Sequence, residues 1–411
     1  MKLYIDPGTG SMLFTILIGV IGAAVYSLRM LLIKLRFRLS GGKTQTSLQK
    51  IPFVIFSDDK RYWNVFNPIC RELDRRGVDV VYMTASEDDP ALKCDYPHVT
   101  AQFIGSSNKA FAKLNFLNAT ILLSTTPGLD VYQWKRSKDT RFYVHIPHAA
   151  SDITIYRMFG IDYYDAILLS GQYQVEQVRD LERLRKLPQK ELVKVGIPYM
   201  DEMADRLRQA GPAPEHPRTV LLAPSWGKSA LFSVYGGKIL DILLETGYHV
   251  IVRPHPQSFK SETEMIQKLM DAYPASEQLE WNRDTDNFEV LRRSDILISD
   301  FSGVIFDFTL IFDKPVIYTD PKFDVSLYDA WWLEEPLWTA SALPRLGCQL
   351  TPENMEDLKN CIDRCLTDPQ YSQGRSQVRS ETWEYPGEGA RRTADYLMEK
   401  YKALTAEKEG C

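Results

Sequence analysis

Short apolar runs alternate with amphipathic stretches along most of this chain, and that rhythm leaves few folds open. The runs PFVIF (52–56), VDVVYM (78–83), ATILLS (119–124), RFYVHI (141–146) and DAILLS (165–170) have strand length, with helix-length stretches such as 61–76 and 172–187 between them. Strands separated by helical patterns assemble into parallel sheets, because a parallel return needs a long crossover. The rhythm stops at Gly211-Pro212-Ala213-Pro214-Glu215-His216-Pro217, whose prolines fix the backbone and remove donors. It restarts with TVLLA (219–223), YHVIV (248–252), DILIS (295–299) and PVIYT (315–319), with helices expected near 236–246, 260–272 and 301–312. The expected fold class is α/β, with two Rossmann-like, doubly wound parallel-sheet domains (51–211 and 218–385) facing across a cleft. A C-terminal helix and tail at 386–411 complete the chain.

Size and charge narrow the function. A chain of 411 residues is comfortable as two domains, and its net charge of -5 gives no basic footprint for nucleic acid. An anionic ligand must then be held by local groups. Cys70, Cys94, Cys348, Cys361, Cys365 and Cys411 are scattered, with no spacing for a zinc site or a secreted disulfide framework. Residues 12–28 (MLFTILIGVIGAAVYSL) carry no charge, and the apolar run resumes through Ile33. That length spans a bilayer, and Arg29, Lys34, Arg36, Arg38 and Lys43 follow it, which places the later domains in the cytoplasm. Residues 1–39 are therefore expected to be a membrane anchor, spanning or interfacial, and 40–50 (SGGKTQTSLQK) a linker.

Chemistry-bearing residues gather where strands end, the edge at which open α/β sheets bind ligands. Arg253-Pro254-His255-Pro256 stiffens one strand exit and offers a guanidinium fork and an imidazole to a phosphate. Ser299-Asp300-Phe301-Ser302-Gly303 closes the next strand, where Asp300 or Ser302 can cap a helix and Gly303 lets a ligand approach the backbone. Asp307 stands in an otherwise apolar helix and needs a partner there. After 219–223, Ser225, Lys228 and Ser229 suit phosphate or hydroxyls and Trp226 suits stacking, although the loop lacks Walker A spacing. In the first half His145-Ile146-Pro147-His148 closes a strand, and His148 is the better placed of the two for taking a proton from a hydroxyl. Thr125-Thr126-Pro127-Gly128 and Gly196-Ile197-Pro198-Tyr199 are turns that could border the same cleft. The carboxylates of Asp58-Asp59 and Glu87-Asp88-Asp89 are read as loop residues, and no metal and no cofactor is assigned.

The order Ala223-Pro224-Ser225-Trp226, Arg253-Pro254-His255-Pro256, Asp295 to Ser302, then Asp307 resembles the CDP-glycerol glycerophosphotransferase family of teichoic-acid primases and polymerases. The resemblance runs from about residue 140 to 385 and is densest over 219–320. It implies a GT-B fold with CDP-glycerol held mainly by the second domain, His148 and His255 as catalytic residues, and Arg253, Ser299, Asp300, Ser302, Gly303, Asp307, Ser225 and Trp226 around the donor. Two departures stand out. After His148 the family's Gly, Pro and Lys are replaced by Ala149-Ala150-Ser151-Asp152, and Gly303 stands where a second Ser is usual. The expected reaction moves glycerol phosphate to a hydroxyl of a lipid-linked or membrane-proximal glycan and releases CMP. A nucleotide-sugar glycosyltransferase and a non-catalytic nucleotide- or polymer-binding membrane module are the alternatives.

Overall fold

The computed structural model describes residues 50–409, apart from Thr285, Phe301 and 320–323. The expected membrane anchor and all but the last residue of the linker lie outside the described residues. Among the described residues, no helix is long and apolar enough to cross a membrane.

The alternating rhythm builds two all-parallel sheets. The first contains β1 (Ile51–Ser57), β2 (Val80–Thr84), β3 (Val99–Phe103), β4 (Ala119–Ser124), β5 (Phe142–His145), β6 (Ala166–Leu169) and β7 (Glu191–Lys194), in the order β3-β2-β1-β4-β5-β6-β7. The second contains β8 (Thr219–Leu222), β9 (His249–Val252), β10 (Leu279–Trp281), β11 (Ile296–Ser299), β12 (Val316–Thr319) and β13 (Gly347–Leu350), in the order β10-β9-β8-β11-β12-β13. Helices cover both faces, so central strands such as β4, β8, β11 and β12 are buried at every residue. Each order reverses once, between β1 and β4 and between β8 and β11, which opens a crevice at the strand ends there.

Four strands have no counterpart in the sequence expectation: β3, β7, β10 and β13. They are the outermost strands of the two sheets. An edge strand has a neighbour on one side only, so runs such as VTAQF and ELVK are partly exposed and lack the continuous apolar signal of a central strand. The helix expected at 301–312 also differs. It is one α-turn, Val304–Phe306, followed by a π-helical turn at Asp307–Ile311. Thr309 Oγ1 donates to the Ile305 carbonyl at 2.7 Å, and Arg379 Nε donates to the Leu310 carbonyl at 2.7 Å.

Buried carboxylates tie the two halves together. Asp152, in the loop after β5, accepts the Trp338 N–H at 2.7 Å and the Thr339 N–H at 3.0 Å, and so caps the helix Trp338–Leu346 of the second half. Asp201 accepts from Trp383 Nε1 at 2.9 Å, from the Gly387 N–H at 2.7 Å and from the Gly389 N–H at 2.8 Å. The chain then re-enters the first half as the helix Gly389–Glu409, where Arg76 Nη1 meets Asp395 at 2.6 Å and the Phe53 and Tyr401 rings lie 4.9 Å apart.

Candidate active site

A cavity of about 670 Å³ opens where the C-terminal ends of the two sheets face each other. Its wall from the first half carries Arg61, Tyr62, His148, Ser151 and Tyr199, and its wall from the second carries His255, Asp300, Ser302, Gly303 and Asp307. The two strand-end histidines, 107 positions apart in sequence, thus share one space of a size suited to a nucleotide-bearing ligand.

His255 leaves β9 through two prolines, and the chain turns so that Gln257 donates its N–H to His255 Nδ1 at 3.1 Å. A nitrogen that accepts carries no proton, so the imidazole is neutral with its proton on Nε2. Burial, and then the charge of Arg61, hold its pKa below the usual histidine value. His255 therefore offers one N–H donor at near-neutral pH.

His148 is held by groups from several elements. Its Nδ1 lies 3.3 Å from Thr125 Oγ1, and its ring lies 4.8 Å from that of Tyr62 and 6.2 Å from that of Tyr156. Burial, and then Arg61, lower its pKa to about 4, so it too is neutral at physiological pH and free to accept a proton. His145 is fully buried, with Nε2 3.1 Å from Tyr156 Oη and a pKa of about 3, and supports the wall from behind.

On the facing turn, Asp300 accepts N–H bonds from Ser225 at 3.0 Å and from Leu231 at 2.9 Å, which ties the β8 and β11 loops across the switch point. Ser302 Oγ accepts the Val304 N–H at 3.4 Å at the start of the helical turn. Gly303 faces Ala149, whose Cβ lies 3.7 Å from where a Gly303 side chain would begin. Asp307 has the partner it needs: Tyr199 Oη donates to it at 2.8 Å. Burial still raises its pKa to about 6, although the Tyr199 hydrogen bond opposes the shift.

Four residues expected around the donor do not line the cavity. The Arg253 guanidinium instead donates to Asn282 Oδ1 at the end of β10, a strand the sequence reading had missed. Ser299 is fully buried and donates to the Ala223 carbonyl at 2.6 Å, because a residue at the end of a central strand points into the sheet layers. Ser225 is buried with its backbone N–H on Asp300, and Trp226 is exposed outside the cavity. Arg253, Ser299 and Ser225 tie together the loops that carry the wall.

The cation inside the cavity is Arg61, which the sequence reading passed over. Asp59 caps its 3₁₀ turn by accepting the Arg61 N–H, and accepts Arg61 Nε at 2.9 Å. Asp58 accepts from Thr126 Oγ1 at 2.8 Å and is raised in pKa by its burial. Asp59 therefore holds Arg61, and Asp58 ties the loop after β1 to the loop after β4. The only signal was that this loop, like those after β5 and β9, follows a central strand.

Residues 161–333 match the family model described as CDP-Glycerol:Poly(glycerophosphate) glycerophosphotransferase. No curated protein matches the chain significantly. Among solved structures it is similar to the UDP-GlcNAc 2-epimerase of Methanocaldococcus jannaschii in complex with UDP-GlcNAc and UDP, with a TM-score of 0.56, 12% identity, and 85% of this chain and 99% of that one covered. It is also similar to a glycosyltransferase from Rickettsia africae, with a TM-score of 0.50, 14% identity and coverage of 87% and 99%. Identities this low speak for the fold alone, two parallel-sheet domains of the GT-B kind. The family match lies across the segments that build most of the cavity's second wall, those carrying His255, Asp300, Ser302, Gly303 and Asp307.

Proposed function

We propose that the enzyme transfers glycerol phosphate from CDP-glycerol to a hydroxyl of a lipid-linked or membrane-proximal glycan and releases CMP. The observation that carries this reading is the shared cavity with a histidine on each wall. The acceptor hydroxyl attacks the phosphorus that bears glycerol, the bond from that phosphorus to the bridging oxygen breaks, and CMP departs with the oxygen. His148 takes the hydroxyl proton. His255 donates Nε2–H to the phosphate oxygens as their charge shifts, and Arg61 adds a positive field from the opposite wall. Ser302 and Gly303 form the turn beside the phosphates, and Asp307 on the same wall meets Tyr199 of the facing wall.

The low imidazole pKa values suit this order of events. A bound pyrophosphate brings negative charge that offsets Arg61, so both pKa values rise once the donor is in place. His148 then becomes a stronger base where it is needed.

Membrane attachment belongs to the same reading and rests on the uncharged run 12–28 with basic residues after it. Incubation with CDP-glycerol and membrane lipids is expected to release CMP and to form a glycerol-phosphate-bearing lipid or glycan seen by mass spectrometry. Free nucleotide from a nucleotide sugar, with none from CDP-glycerol, would replace this reading with a glycosyltransferase. Calorimetric binding of CDP-glycerol without CMP release would leave a binding module.

A further inference from the structure

The edge strand β13 carries a sulfur site away from the mechanism. Cys348 Sγ receives Arg364 Nη2 at 3.0 Å and lies 3.1 Å from Tyr371 Oη. Its own N–H donates to Cys365 Sγ at 3.3 Å, and Cys365 Sγ lies 3.9 Å from the Val316 carbonyl of the neighbouring strand. Two cysteines, a guanidinium and a phenol thus converge from a strand and from the helices Leu358–Thr367 and Pro369–Thr382. Among the described cysteines, burial pushes Cys70, Cys94 and Cys361 up in pKa, whereas hydrogen bonds from Cys365, Tyr371 and Arg364 draw Cys348 down. Packing alone does not call for this arrangement, since an apolar side chain would fill the same place beside Ile317 and Ile362.

We propose that Cys348 is an oxidative modification site, with Cys365 as the resolving thiol and a hydroperoxide as oxidant. The Cys348 thiolate attacks one peroxide oxygen, the O–O bond breaks, and the other oxygen leaves as water, giving a sulfenic acid. Cys365 then attacks that sulfur, the S–O bond breaks, and a second water leaves with the Cys365 proton. Two electrons pass from the thiols to the peroxide, and a dithiol reductant reverses the change. Cys348 and Cys365 are buried, but Arg364, which bonds the Cys348 sulfur, is exposed and β13 is a sheet edge, so the pair lies just beneath the surface on that side. The neighbouring residue, Gln349, lines the active-site cavity, which makes strand movement at the disulfide visible there.

The test treats the full-length protein with hydrogen peroxide and maps its peptides. A Cys348–Cys365 cross-link is expected, two hydrogens lighter and reversed by dithiothreitol, with Cys365→Ser leaving a dimedone-trappable sulfenic acid at Cys348. Because serine at a buried site can unfold the domain, Arg364→Gln on the exposed helix face gives an independent reading. The pH midpoint for iodoacetamide alkylation of Cys348 should rise by about one unit, a tenfold change in thiolate at a given pH below both midpoints. A Cys348 that stays reduced while Cys94 oxidises, or an alkylation midpoint unchanged by Arg364→Gln, overturns the proposal. These are mass readouts, so they stand or fall apart from the transferase reading.

Discussion

His148 and His255 face one cavity, but the molecule builds them in opposite ways. His255 is oriented within three residues of chain: two prolines stiffen the strand exit, and the Gln257 N–H fixes the tautomer. His148 is placed by Thr125 after β4, by Tyr62 after β1 and by Tyr156 in the loop that follows it. A locally built residue keeps its geometry when distant parts change. A residue assembled from several loops depends on all of them, and its surroundings can be re-tuned by substitutions far off in sequence. This asymmetry fits the segment after His148, where Ala149-Ala150-Ser151-Asp152 stands in place of the Gly, Pro and Lys of the family the sequence resembles. Asp152 has acquired a structural task there, capping the helix Trp338–Leu346 from across the cleft.

The sharpest way to break the comparison is to remove each histidine. His148→Ala should lower kcat for CMP release by about 10²–10⁴-fold, the usual worth of a positioned base. His255→Ala should fall in the same range, whereas His255→Gln, which keeps an N–H donor, should recover part of the loss. Circular dichroism checks that each variant stays folded. Wild-type turnover by His148→Ala would remove the base from the mechanism.

Arg61 acts on both histidines at once and comes next in size. Arg61→Ala should cost about 10²-fold in kcat/KM, as loss of one charge-stabilising donor does. Its pH profile gives a separate check. His148 must be deprotonated to act, so activity falls as pH drops through its pKa. For the free enzyme that limb in kcat/KM is expected near the low value of about 4, and in kcat it should sit higher, because bound pyrophosphate raises the pKa. Arg61→Ala removes the field that lowers both imidazoles and should move the kcat/KM limb upward. A limb that moves downward would contradict the electrostatic role.

How much of this could be read in sequence follows the same local-versus-distant divide. The central strands, the break at 211–217 and the turn carrying Asp300 to Asp307 are written in contiguous residues and were legible. The four edge strands were not: β3 and β7 are partly exposed and need no apolar run to hold them, and β10 and β13 are only three and four residues long. Without β10 there was no reason to expect that Asn282 would draw Arg253 out of the cavity. Arg61 was missed for a similar reason. Its importance comes from the pairing of β1 with β4, which brings its loop beside Thr125 and His148, and nothing in Asp58-Asp59-Lys60-Arg61 itself announces that neighbour.

Asp307 tests the second wall by stability. Its folded pKa of about 6 exceeds that of an unfolded Asp, about 3.9, so the folded state binds more protons between these values. The sign follows: its contribution favours the fold at pH 4 and is lost as pH rises through 6. Asp307→Asn, which can still accept from Tyr199, should raise stability at pH 7 by about 1–2 kcal/mol, less than full burial implies because the group opens onto the cavity. The difference in thermal midpoint between variant and wild type should shrink toward pH 4. A stabilised but less active variant marks Asp307 as a group retained for function at a cost in stability. An equally active one marks it as packing.

The smallest effect is expected at Gly303, and it bears on how closely the two walls approach. Its φ of -58° is ordinary for any residue, and an added Cβ meets only Ala149 Cβ at 3.7 Å, a normal contact. Gly303→Ser, which places a hydroxyl there as in the family the sequence resembles, should therefore change stability by less than about 0.5 kcal/mol in urea unfolding. Its hydroxyl would enter the space between the His148 loop and the phosphate-side turn. If the donor lies there, KM for CDP-glycerol should change by a few-fold while the unfolding midpoint stays put. An unchanged KM would place the donor elsewhere along the wall, toward Asp307. A large loss of stability would mean that the walls close more tightly than 3.7 Å allows, and that glycine is required by their approach.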